Sequence, residues 1–125
     1  MRKVILLSSL LTLIFTPFCF ADNTKTQIIN QLKQFQSQGI HQNTSYNLSE
    51  LDQLKQCTSE SMPYRQAADE LRSSILKNND VAFRLPAYQA ADLAFQCLYC
   101  ANNSIASCEK MSKYITKAET QLKKG

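Results

Sequence analysis

Four cysteines restrict the possible folds of this chain more than any other feature. Cys97, Cys100 and Cys108 crowd into the twelve residues CLYCANNSIASC, and Cys57 stands forty positions upstream of the first. A fifth, Cys19, belongs to the opening segment MRKVILLSSLLTLIFTPFCFADNTK, where Arg2 and Lys3 precede an apolar run from Val4 to Phe20 and then Ala21. Basic, apolar and small residues in that order make a secretory signal. Residues 1–21 are therefore expected to be cleaved on export, leaving residues 22–125 as a single helical domain with no membrane span after processing. The bulky Phe18 directly before Cys19 argues against lipidation there, so Cys19 is expected to leave with the signal. Export places the chain in a periplasmic or secreted, oxidising setting, where an even number of cysteines in a small domain signals two disulfides.

The chain has two glycines, three prolines and no alternating run of β-branched and aromatic residues between turn pairs, which excludes a sheet and points to an all-α fold. Asn23 or Thr24 can cap a first helix whose Ile28, Leu32 and Phe35 share one face, and Gly39 is expected to end it in the left-handed conformation, with Ile40 folding back over the last turn. A polar loop, HQNTSY, should follow. Asn47 and Glu50 then have capping-box spacing for a short second helix that carries Leu51, Leu54 and Cys57 inward. A third is expected from Ser59 or Ser61, with Pro63 in its first turn and a buried stripe of Tyr64, Ala67, Ala68, Leu71 and Ile75. Pro86 should open a fourth and most apolar helix, with Ala90, Leu93, Cys97 and Cys100 along its seam. A fifth carries Cys108, Met111, Ile115, Ala118 and Leu122 inward and its lysines outward. The expected architecture is a small four- to five-helix up-and-down bundle crosslinked by two disulfides.

Cys97 and Cys100 lie one turn apart on one helical face, and Cys108 stands just past the turn on the facing seam. A hairpin centred near Asn102 and Asn103 pairs Cys97 with Cys108 and leaves Cys100 for Cys57. Pairing Cys100 with Cys108 and Cys57 with Cys97 needs only a small shift of register, so both connectivities stay open. Covalent haem would need a histidine after the pair, where Ala101 stands. A zinc cage of four thiolates competes poorly with crosslinking in an oxidising compartment. A redox CxxC belongs at an exposed helix start, and this one lies near a helix end on the core side. No metal and no cofactor are therefore expected.

Nor does the chain present an active site. His41, the only histidine, stands in a polar stretch without a cysteine or carboxylate at ligand spacing. Asp69 and Glu70 are adjacent and so diverge on a helix. The chain is read as a non-enzyme. Its net charge of +4 falls to +2 without Arg2 and Lys3 (4 − 2), too weak a balance for a nucleic-acid surface. Function is expected instead at two connections rich in aromatic and apolar residues, with Tyr46, Phe83, Arg84 and Tyr88 as candidate partner-binding residues. A stripe of Gln89, Asp92, Gln96 and Tyr99 is a second candidate contact, and Phe83 could also serve as a core plug.

The expected architecture resembles that of small periplasmic helical immunity proteins that neutralise secreted cell-wall-cutting toxins, a likeness of architecture without a shared motif. It implies an exported protein-binding domain with a partner in the cell envelope, as an immunity-type inhibitor of a secreted toxin or hydrolase would be. A periplasmic chaperone or stress protein and a small-ligand-binding bundle, with Met111 and His41 as its available ligands, are the alternatives.

Overall fold

The computed structural model describes residues 24–124, and the expected signal segment lies outside them. Among the described residues there are four helices and no strand: α1 (Lys25–Ser45), α2 (Leu51–Ile75), α3 (Val81–Cys97) and α4 (Ser104–Lys124). They run up and down. The Lys25 ammonium meets Asp80 at 2.5 Å, joining the starts of α1 and α3 at one end. The disulfides Cys57–Cys100 and Cys97–Cys108 gather the other ends of those helices with the starts of α2 and α4. These are the two pairs favoured by the hairpin geometry.

The helix α3 touches all three others, while α2 and α4 do not meet. Its inner face explains the central position: Ala87, Ala90, Ala91 and Ala94 are buried, and such small side chains let neighbouring backbones approach closely. Around them pack Ile28, Leu32 and Phe35 of α1, Leu71 and Ile75 of α2, and Met111 and Ile115 of α4.

Three helix boundaries differ from expectation. Gly39 does not end α1, which runs two turns further and takes HQNTS into the helix. Gly39 has no positive φ, and Ile40 remains exposed. The glycine is needed for closeness: a Cβ there would lie 2.3 Å from Cys97 Sγ, 2.7 Å from Cys97 O and 3.0 Å from Cys108 Sγ. The second and third expected helices are one, α2, with Pro63 inside it, so the count is four. Lastly, α3 begins at Val81, where the Asp80 side chain accepts from the Phe83 N–H at 3.3 Å, and Pro86 lies inside the helix. Hydrogen bonding from Lys25, then from the Phe83 N–H, holds the Asp80 carboxyl below its ordinary pKa.

The N-caps of α1 and α2 differ in kind. Thr24 and Gln27 form a reciprocal capping box on α1, as the sequence allows. The expected box on α2 does not form: Glu50 occupies the cap position with no side-chain cap, and Asn47 Oδ1 instead accepts from the Ser49 N–H at 3.1 Å. Leu51, expected inside, is exposed.

Candidate functional site

The crosslinked end of the bundle is sealed by side-chain amides of α1. The last carbonyls of α3 have no helical partner. Gln42, fully buried, donates from Nε2 to Leu98 O at 2.6 Å, and Asn43 donates from Nδ2 to Cys97 O at 3.2 Å. Asn43 Oδ1 accepts from the Ala101 N–H at 3.3 Å, and Gln36 donates to Cys108 O at 2.8 Å. Cys57, Cys97 and Cys108 are fully buried and Cys100 half-buried. With all four sulfurs in crosslinks, none is left as a thiolate for metal binding or nucleophilic attack. Of the two residues considered as soft or imidazole ligands, Met111 is buried in the core and His41 is exposed on α1.

The four candidate partner-binding residues do not form one surface. Tyr46 caps the end of α1 at the crosslinked end, half-buried, with its hydroxyl donating to the Glu60 carboxylate. That hydrogen bond, then burial, pushes the phenol above its ordinary pKa. Phe83, Arg84 and Tyr88 stand at or near the opposite end. Phe83 is wholly buried, with Lys25 Nζ 5.7 Å from its ring, so it plugs the core and its ring is not offered to a partner. Arg84 is half-buried and donates to Asn78 O at 3.1 Å; Tyr88 is half-buried against the core.

Surface character concentrates elsewhere, along the outer face of α3. Leu85, Gln89, Asp92 and Gln96 are exposed at alternating spacings of four and three, which makes them one ridge, and exposed Tyr99 follows just past the helix end. Four of these were legible as the second candidate stripe. On the α2 side of the ridge, the Arg65 guanidinium lies 3.9 Å above the Tyr99 ring and 5.2 Å from Phe95, and the two rings meet edge to face at 5.7 Å. Arg65 has no carboxylate partner among the described residues, and its Nε is buried without a hydrogen-bond partner. Next to it Arg72 ties the helices together, 2.6 Å from Asp69 on α2 and 3.1 Å from Asp92 on α3. Met62, Arg65, Gln66, Asp69 and Phe95 line an open hollow of about 290 Å³, and Met62 is half exposed at 51%.

Sequence reasoning missed Met62 and Arg65 because it followed the buried stripe of this helix and not its outer face. The spacing of Met62, Arg65, Asp69 and Arg72, at intervals of three and four, is the signal that would have found this face of α2. On the α4 side of the ridge, two further hollows of about 290 and 310 Å³ share Gln89 and run along the α3–α4 seam.

Fold and surface together define a disulfide-crosslinked antiparallel four-helix domain whose exposed chemistry lies along its central helix. Among the described residues no helix is long and apolar enough to cross a membrane. Comparison of the chain with known protein families, with curated proteins and with solved structures finds no match.

Proposed function

We propose that this chain is an exported, non-enzymatic scaffold that binds a protein of the cell envelope through the outer face of α3 and its flank on α2, acting as an inhibitor of a secreted toxin or hydrolase. The observation that carries this reading is the Arg65–Tyr99–Phe95 stack beside Met62. Arginine, aromatic residues and methionine are enriched at protein interfaces, and such anchors dominate their binding energy. Stacking holds Arg65 in place before a partner arrives, so little side-chain entropy remains to be lost on binding. The Cys57–Cys100 crosslink supports the same face from beneath, since Cys100 follows Tyr99 and Cys57 lies two turns before Arg65. Two crosslinks also suit a periplasmic or secreted location.

Capture from the native envelope tests the reading. Bait carrying Tyr99→Ala or Met62→Ala is expected to keep its helical content and lose the wild-type partner by about tenfold or more, as hot-spot truncations do. Undiminished capture by both variants would remove this face from consideration.

A further inference from the structure

We infer that the furrow between α3 and α4 docks an acidic amphipathic helix of a protein partner. The inference rests on the protein-binding reading and concerns the α4 flank of the same α3 row, on the other side from the Arg65–Tyr99 stack. The furrow carries apolar side chains interleaved with polar ones: Leu85, Pro86 and Leu93 come from α3 and Tyr114 from α4, with Gln89 between them. Leu85 is 61% exposed, an apolar side chain that the bundle itself leaves uncovered. The α4 rim is basic. Lys110 and Lys117 line the hollows, and the ammonium groups of Lys113 and Lys117 lie 5.8 and 5.5 Å from the Tyr114 ring.

None of these three lysines has a carboxylate partner among the described residues, although acids stand nearby. Glu119 is turned to Lys33 on α1 at 3.0 Å, and Asp92, the one acid lining the furrow, is engaged by Arg72. Glu109 is exposed and does not line it. The rim therefore keeps a positive field beside the apolar side chains of the furrow, on a domain whose overall charge is close to balance.

Shape selects the occupant. From Leu85 to Leu93 the furrow spans about 12 Å, roughly two helical turns. A seam between two packed helices accepts a third helix by interleaving side-chain ridges. Leucines spaced at three and four would reach Leu85, Leu93 and Tyr114, while glutamates beside them meet the lysines. A flat anionic bilayer would touch the rim and leave the furrow empty.

The test is a titration of the disulfide-bonded protein, followed by amide NMR, with a synthetic helix of about four turns carrying leucines on one face and glutamates elsewhere. A peptide with lysine at every glutamate position is the control. Saturable shifts are expected at Leu85, Gln89, Leu93, Lys110, Tyr114 and Lys117 with the acidic peptide only. Lys113→Glu combined with Lys117→Glu, both on exposed positions, should weaken that binding by about tenfold or more without changing the circular dichroism. No saturable binding, equal binding of both peptides, shifts confined to other faces, or association with phosphatidylglycerol vesicles in place of the peptide would overturn the inference. Capture through Tyr99 is measured separately, so failure here leaves that result to be judged alone.

Discussion

A single missing carbon at Gly39 lets α1 lie against the Cys97–Cys108 crosslink. Alanine in a helix is ordinarily about 1 kcal/mol better than glycine, so the exchange would be stabilising at an open position. Here the new Cβ would meet Cys97 Sγ at 2.3 Å and Cys97 O at 2.7 Å. Neither atom can swing aside, one being held in a disulfide and the other in the backbone. Overpacking of this kind costs about 1–3 kcal/mol and here more than offsets the propensity gain. Gly39→Ala is therefore expected to lower the urea midpoint under oxidising conditions, by about 1 kcal/mol or more in net stability; a rise would show that α1 is not pressed on the crosslink. The same approach brings Gln42 and Asn43 onto the last carbonyls of α3. The sequence made Gly39 conspicuous but not its reason, because a glycine at a helix end and one under a crosslink look alike without the third dimension.

At the level of elements, periodicity outweighed punctuation. Cys57, Ser61, Tyr64, Ala68, Leu71 and Ile75 follow at four, three, four, three and four, and all are buried or half-buried. That unbroken stripe crosses Pro63, and a helix that gains from burying it continues although proline removes one hydrogen bond. The carbonyl left over, that of Ser59, belongs to an exposed residue, where water can serve it. The two-helix reading gave Pro63 more weight than the stripe, and Pro86 misled in the same way. Inner faces, by contrast, were readable: Ile28, Leu32, Phe35, Met111, Ile115 and Ala118 are all buried as their spacing requires. Pro63→Ala restores a backbone donor on an exposed face and is expected to raise stability by roughly 1–3 kcal/mol. Thermal unfolding would reveal it, and a loss instead would mean that a bend at Pro63 is needed for α2 to reach both Cys100 and the Arg72–Asp92 bridge.

For the molecule as a whole, the two crosslinks do unequal work because the four helices are unequally held. Helix α3 packs on every other helix, and α2 and α4 each lie against α1 and α3, but α2, the longest of the four, packs on them more sparsely than α4 does. Cys57–Cys100 binds this less-supported helix to the centre across a sequence separation of 43, and Cys97–Cys108 closes a hairpin of separation 11 that helix packing already holds. Chain-entropy reasoning assigns them about 4 and 3 kcal/mol, each a large share of a small domain's stability. The difference in kind exceeds the difference in size. Replacing Cys57 and Cys100 together by alanine should free α2 first, so its amides lose hydrogen-exchange protection while those of α3 and α4 keep theirs. The proposed contact face would be split as well, since Met62 and Arg65 ride on α2 while Phe95 rides on α3 and Tyr99 stands just past its end. Replacing Cys97 and Cys108 should instead lower protection across all four helices together, because the bond lies in the core against Gly39. If both double variants lose protection uniformly, α2 is not the separable element, and the Arg65–Tyr99 face owes its rigidity to packing and not to the crosslink beneath it.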